Sequence, residues 1–142
     1  MALTNFGVQL KRGNGATPEV FTAIAELLNI DPPEILNEAI ESTSHSTAAY
    51  RTFINSGLRE VAEFTATVQY TPTGVTHNNT TGILADLTGS SSHNYQILFP
   101  DASVWSFTAI VTGFKVSAAN APDPETLQAE VTFRPTGAPT LV

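Results

Sequence analysis

The chain has 142 residues and no cysteine, and its thirteen acidic and six basic side chains give a formal net charge of −7. Only 13% of the residues are charged and 42% are hydrophobic, a low charge content for a soluble monomer, which usually has about a quarter charged residues. The lack of cysteine excludes disulfides and thiolate metal sites, and the acidic balance argues against a tight electrostatic grip on nucleic acid. No apolar run in the sequence approaches the roughly 18 residues that span a bilayer.

The N-terminal part has ambiguous local signals. Residues 11–15 are basic and turn-like, and Asn14-Gly15 is typical of a hairpin turn. Residues 17–30 begin like a helix, with Thr17 as N-cap and Pro18 in the first helical position, but their alternating apolar side chains also fit a strand. Residues 31–42 repeat the helix-like start with Asp31 as cap. Local sequence leaves helix and strand open for residues 18–30.

The C-terminal part predicts strands and one short helix. Residues 62–71 alternate as a strand does, and a helix is predicted around 82–87, capped by Thr80 or Thr81 and ended by Gly89. A hairpin follows, turning at Pro100-Asp101, and then a turn at 121–125. The last strand, 126–137, has Leu127, Ala129, Val131 and Phe133 on one face, and residues 135–142 are predicted as a tail without fixed structure.

The second strand of the predicted hairpin has two uncharged faces, apart from Lys115. The first face carries Val104, Ser106, Thr108, Ile110, Thr112, Phe114 and Val116, and the second carries Trp105, Phe107, Ala109, Val111, Gly113 and Lys115. A half-buried strand should alternate between apolar and polar residues. The question is therefore what covers the second face.

No catalytic or metal-binding pattern is present in the sequence. None of His45, His77 and His93 has a second ligand at metal-site spacing. Asp86 lies between His77 and His93, so a cluster of the three is conceivable, but polar loop histidines beside Asn and Ser are ordinarily solvent-facing. Glu34, Glu38 and Glu41 would share one helical face, where a solvated surface is the ordinary interpretation. We expect no enzyme activity, no cofactor and no metal.

Residues 20–139 resemble the tail tube (major tail) proteins of long-tailed, non-contractile bacteriophages. The resemblance depends on the order of short motifs: Thr43-Ser44-His45, Tyr50-Arg51, Gly57-Leu58, Phe99-Pro100-Asp101, the strand 107–114 and Gly137-Ala138-Pro139-Thr140. The turn departs from the family at Ala102-Ser103, where glycine is frequent, and residues 1–15 match least. The family shares its fold with the tubes of contractile injection systems.

The resemblance implies a mostly β fold, a β-sandwich or barrel-like tail tube domain of two packed antiparallel sheets with one short helix. A single domain, 1–142, would have an N-terminal arm at about 1–15, a long inter-strand loop at about 31–58 and a C-terminal tail at about 135–142. Residues 20–30 would then be a strand. Six-subunit rings would join their sheets into a continuous barrel around a channel and stack into a tube, and the second face of the uncharged strand would lie against a neighbouring subunit or the channel wall.

Two groups of site residues follow. A loop as long as 31–58 is uncommon without a function, so we expect it to contact the adjacent ring through His45, Tyr50 and Arg51. Glu26, Glu63 and Glu130, on predicted strands, are candidates for an acidic channel wall that repels DNA; an outer surface position is an equally good interpretation of each.

The implied partners are the chain itself and the tape measure, baseplate or tail tip, and terminator proteins. DNA would pass without tight binding, and no membrane is involved. The expected location is the virion tail, assembled in the host cytoplasm. Two other functions stay open, a monomeric β-sandwich binding or decoration module and a tail terminator ring protein of the same fold.

Overall fold

The computed structural model describes residues 2–3, 6–46, 49–89, 91–117 and 126–141. Across these ranges the elements are β1 Gln9–Gly13, β2 Phe21–Ala23, β3 Leu27–Asp31, β4 Ile35–Glu41, β5 Phe53–Val61, β6 Phe64–Gln69, α1 Ile83–Thr88, β7 His93–Leu98, β8 Val104–Ser117 and β9 Gln128–Leu141. Seven strands form one sheet in the order β2-β1-β7-β8-β9-β6-β3, and β4 and β5 form a second. The predicted fold class is confirmed. Within the described ranges, no helix is long and apolar enough to cross a membrane.

The long strands β8 and β9 divide the large sheet into two halves. The first part of β8 pairs with β7 as far as Ala109, and only the first part of β9, up to Phe133, pairs with β6. We call β3, β6, the first part of β9 and the second part of β8 the four-stranded half. The edge strands β2 and β3 are separated by only residues 24–26, so the sheet must curl until its edges approach, although it does not close into a barrel.

The core fills the space inside this curled sheet. Phe64, Ala66 and Val68 of β6 are buried, as the alternation predicts, and Phe64 stacks on Phe133 with ring centroids 5.0 Å apart. Of the face predicted for the last strand, Ala129, Val131 and Phe133 are fully buried, but Leu127 precedes β9 and is 38% exposed. Inward-facing residues of both halves thus make one continuous core.

Strand β8 reverses the expected roles of its faces. Phe107, Ala109 and Val111, of the second face, lie in the core, so the prediction that this face contacts a neighbour is wrong. A register shift between Val111 and Gly113 then turns Phe114 toward the core. The exposed face is the first one, around Ile110, because the curl of the sheet covers the other side.

Residues that resemble helices form strands. The strand implied for 20–30 is present as β2 and β3, interrupted by a turn in which Glu26 has a φ of 58°. The helix-like 31–42 contains β4, because pairing with β5 overrides local propensity. In the predicted N-terminal arm, β1 lies between β2 and β7, and the Asn14-Gly15 turn is part of the longer β1–β2 connection.

Two other segments differ from the sequence prediction. Residues 135–141, predicted as a tail, continue β9 and pair with β8, for example Thr136 with Thr108. The predicted long loop, 31–58, contains β4 and most of β5. The turn predicted at 121–125 lies outside the described residues.

Helix α1 begins after Gly82. It ends at Gly89, as the sequence predicts. The predicted threonine cap is wrong: the hydroxyl of Thr81 donates to the carbonyl oxygen of Val75 at 2.8 Å instead. Only glycine fits at position 82, because an added Cβ would lie 2.5 Å from the backbone nitrogen of His77.

Candidate assembly interface

Strands β4 and β5 form an antiparallel hairpin that no second layer of the described residues covers. We call residues 34–62 the hairpin arm. All seven residues of β4 are exposed, and β5 has one buried residue, Val61 at its end. The large exposed apolar side chains on its two strands are Ile35, Leu36, Ile40, Phe53, Ile54 and Leu58. Because an isolated two-stranded hairpin is marginally stable, this surface requires a partner.

The hairpin arm is long and attached at one end. From Ile35 to Thr43 it spans about 30 Å at about 3.3 Å per residue. At its base, the backbone nitrogen of Ala62 donates to the carbonyl oxygen of Glu34, at 2.7 Å. Arg134 and Glu60 make an exposed ion pair at 3.7 Å. The arm therefore stands away from the body of the domain.

The predicted contact residues His45, Tyr50 and Arg51 lie together at the tip of the arm. All three are exposed, Tyr50 by 84%. The Nε atom of Arg51 lies 3.8 Å from a carboxylate oxygen of Glu41. The structure thus presents an aromatic ring and a cation on the exposed connection between β4 and β5, a position suited to contact with another subunit.

The three predicted channel-wall glutamates have different positions. Glu130 lies on β9 as predicted, opposite Lys115 and Thr67 on the face away from the core. Glu26 and Glu63 are not on strands: Glu26 is in the β2–β3 turn and Glu63 joins β5 to β6. All three are exposed, and they lie at the middle and the two ends of the four-stranded half.

A buried ionic cluster around Asp86 was missed by sequence reasoning. Arg12 donates to the Asp86 carboxylate from Nε at 2.7 Å and from Nη2 at 2.5 Å. The hydroxyl of Tyr95 donates to the same group at 2.5 Å, and His93 Nε2 lies 3.4 Å away. The cluster fixes α1 to β1 and β7. The only sequence signal was an aspartate on the apolar side of a short helix.

The cluster sets the protonation of its members. The hydrogen bond with Asp86 raises the pKa of Arg12 above its ordinary value. Burial, followed by the hydrogen bond with Asp86, raises the pKa of Tyr95. Arg12 therefore stays charged and Tyr95 neutral, which suits a structural ion pair rather than a group that exchanges protons.

His77 is buried, so the expectation of a solvent-facing loop histidine is wrong. Its Nδ1 accepts a hydrogen bond from the backbone nitrogen of Thr71 at 3.2 Å, which leaves Nε2 to donate to the carbonyl oxygen of Ala25 at 2.9 Å. His77 therefore holds the loop before α1 against the β2–β3 turn. Of the two histidines, His93 contacts Asp86 and His77 does not. The described residues contain no group of three or more potential metal ligands.

Residues 9–142 match the sequence family described as the lambda phage tail tube protein, TTP. The chain belongs to this family. It is therefore a structural protein of a phage-like tail tube, located in the virion tail, and the resemblance predicted from the sequence is confirmed. A search of the curated proteins finds no match.

Solved structures share the tail tube fold at low sequence identity. A chain from the tail of an empty gene transfer agent (GTA) particle, refined with C6 helical symmetry, has a TM-score of 0.77 at 14% identity, with 99% of each chain covered. A chain of the native GTA virion has a TM-score of 0.74 at 15% identity, again with 99% of each chain covered. A chain from the PVC sheath/tube terminator of an extracellular contractile injection system has a TM-score of 0.74 at 12% identity, with 100% of this chain and 97% of that chain covered.

Proposed function

We propose that the chain forms six-membered rings that stack into a tail tube, and that DNA passes down the channel during ejection. The observation that carries the proposal is the hairpin arm, whose exposed apolar side chains and tip have no partner layer among the described residues. The C6 symmetry of the similar GTA tail supports six as the ring number.

The length of the arm favours a contact that repeats from each ring to the next along the tube. Its tip lies about 30 Å from its base by the rise per residue, so it reaches beyond its own domain. A contact between its tip and a different surface of the next copy is heterologous, and such contacts generate filaments when rings stack along an axis. His45, Tyr50 and Arg51 are the proposed anchors of this contact.

Electron microscopy of the purified protein over a range of concentrations, with light scattering on the same samples, tests assembly. We expect hollow filaments of uniform width, because the apolar arm is buried only in the stack. Isolated rings would favour the terminator function, and a monomer at every concentration would favour the binding or decoration module.

The channel wall is proposed to repel DNA weakly. Glu26, Glu63 and Glu130 are exposed, and like charges on a wall favour sliding over sticking. Screening over about 8 Å confines the effect to the wall.

Replacing Glu26 or Glu63 by lysine should slow or block DNA passage while tubes still assemble, because the new cation would attract phosphates. The measurement is infectivity or DNA delivery by particles whose tails are normal in micrographs. Thr22→Lys, an exposed position on strand β2 outside the four-stranded half, is the control that should deliver DNA normally. Normal delivery by the Glu26 and Glu63 variants would remove these positions from the wall.

The remaining partners follow from the same proposal. A tube requires a tape measure protein inside it, a baseplate or tail tip at one end and a terminator at the other. No membrane contact is proposed.

A further inference from the structure

The connection between β1 and β2 contains the chain's one Asn-Gly pair, Asn14-Gly15. Both residues are exposed, and Gly15 has a φ of 74°, a conformation that favours glycine. An asparagine followed by glycine cyclises readily, because no side chain obstructs the approach of the glycine nitrogen to the side-chain amide carbon. Neither the hairpin arm nor the Asp86 cluster includes this pair, so its surroundings need a separate explanation.

A carboxylate contacts the nitrogen that would have to react. The backbone nitrogen of Gly15 donates to Oε2 of Glu19 at 2.9 Å. The other carboxylate oxygen, Oε1, accepts from Nδ2 of Asn94 at 2.8 Å, which fixes the orientation of the group. A base within hydrogen-bond distance of the nitrogen that must lose its proton is the geometry that general-base catalysis requires.

Gly13 makes room for this carboxylate. An added Cβ at position 13 would lie 2.6 Å from Oε2 of Glu19 and 2.7 Å from its carboxyl carbon. A larger residue at this buried end of β1 would therefore displace Glu19 from the nitrogen of Gly15. The two glycines on either side of Asn14 thus have different functions: the first admits the base, and the second supplies the unobstructed nitrogen.

Two backbone N–H groups contact the side-chain carbonyl oxygen of Asn14. The nitrogens of Ala16 and Val20 donate to Oδ1 at 3.0 Å and 3.1 Å. Negative charge develops on this oxygen when a nucleophile adds to the amide carbon, and paired N–H donors at such a position form an oxyanion hole. The loop therefore brings together a nucleophile, a base and oxyanion donors around one amide.

We infer that Asn14 is a self-modifying site, at which the nitrogen of Gly15 cyclises onto the side chain with Glu19 as the base. Glu19 takes the proton from this nitrogen as it bonds to Cγ of Asn14. The Cγ–Nδ2 bond then breaks and the proton passes from Glu19 to the departing nitrogen, so that ammonia leaves and a cyclic imide remains. Water adds to either carbonyl carbon of the imide and opens it, which gives aspartate or isoaspartate at position 14.

The reaction changes both the charge and the shape of the connection. It adds one negative charge to the formal −7 of the chain, and it places that charge beside Glu19. In isoaspartate the main chain passes through the former side-chain carbon, so the hydrogen bonds from Ala16 and Val20 cannot keep their present form. The modification would therefore alter the β1–β2 connection progressively with the age of the protein.

Incubation of the intact chain, followed by peptide mass spectrometry, tests the site. We expect Asn14 to lose its amide faster in the folded protein than in the same chain unfolded in urea, because only the fold places Glu19 and the two N–H donors. Hydroxylamine, which cleaves the chain at the imide, should release a fragment ending at residue 14 from the folded protein.

Asn78 is an internal control for the oxyanion donors. Its Oδ1 also accepts from two backbone nitrogens, those of Thr80 and Thr81, at 3.0 Å and 2.7 Å. The next residue is Asn79 instead of glycine, and among the described residues no carboxylate accepts a hydrogen bond from its nitrogen. Asn78 should therefore keep its amide over the period in which Asn14 loses it.

Glu19→Gln isolates the base. The variant keeps an oxygen that can accept from the Gly15 nitrogen but cannot take its proton, so the loss of the Asn14 amide should slow at least about tenfold. Its rate should also rise more steeply with hydroxide concentration, since hydroxide must then act as the base. Glu34→Gln, at an exposed position on the hairpin arm, is the matched control and should react at the rate of the intact chain.

The comparison of folded and unfolded chains decides the inference even without the variants. Equal rates in the two states would overturn it. An Asn14 that keeps its amide when folded and loses it in urea would also overturn it, because the loop would then protect the residue. Equal rates and equal pH profiles for Glu19→Gln and the intact chain would remove Glu19 as the base.

Discussion

Replacing residues 41–55 by an Asn-Gly turn should abolish long tubes while leaving a folded subunit. The replacement removes the arm tip, including Tyr50 and Arg51, and the exposed apolar residues Phe53 and Ile54. None of these four residues belongs to the buried core. The two-residue turn suits an antiparallel hairpin. Because the removed surface is proposed to contact the next ring, we expect a complete loss of filaments in micrographs rather than a partial one.

Circular dichroism and thermal unfolding provide the control for folding, and the expected melting profile is close to that of the intact chain. A second variant, Tyr50→Ala with Arg51→Ala, keeps the arm and removes only two of the three proposed anchors. It should shorten tubes or raise the concentration at which they form. Tubes of normal length from the shortened arm would remove the arm from the inter-ring contact.

Asp86→Ala should cost about 3–5 kcal/mol of the free energy of unfolding, a large part of the about 5–15 kcal/mol typical of a domain. The substitution leaves the Arg12 guanidinium, whose side chain is 17% exposed, without its partner. It also leaves the Tyr95 hydroxyl buried without an acceptor. Chemical denaturation of the subunit measures the loss, which should appear as a lower midpoint.

Glu60→Ala is the matched control for the Asp86 variant. It breaks an ion pair with Arg134 in which both side chains are at least half exposed, so it should cost less than about 1 kcal/mol. Equal losses from the two variants would show that burial does not strengthen the Asp86 cluster. Asp86→Asn, which keeps one acceptor oxygen, should fall between them.

Sequence reasoning succeeded where local pattern and tertiary environment agree. The alternation in β6 and β9 predicted their buried faces correctly, since one side of each strand meets the core. It failed at β4, whose helix-like start is overridden by pairing with β5. The faces of β8 were also beyond local prediction, because both are uncharged and the curl of the sheet decides which is covered.

The residues of the candidate site were likewise predictable only in part. The arm tip was located by motif order and is exposed as expected, with its role still a prediction. The Asp86 cluster joins residues 74 positions apart in sequence, and no local pattern signals such a pairing. Among the described residues, β3 pairs only with β6, and β8 beyond Ala109 pairs only with β9. Such edges are a property of topology, which appears only when every strand has been assigned a neighbour.

The joint at the base of the arm has a mechanical consequence. Strands β3 and β4 form one side of a long hairpin interrupted by Pro32 and Pro33, and β5 and β6 form the other, interrupted at residues 62–63. Proline donates no ladder hydrogen bond, so the hairpin is least stiff there. If the tip of the arm contacts the next ring as proposed, a bending tail should deform mainly at this joint. The curvature would then be distributed over many small hinge movements along the tube.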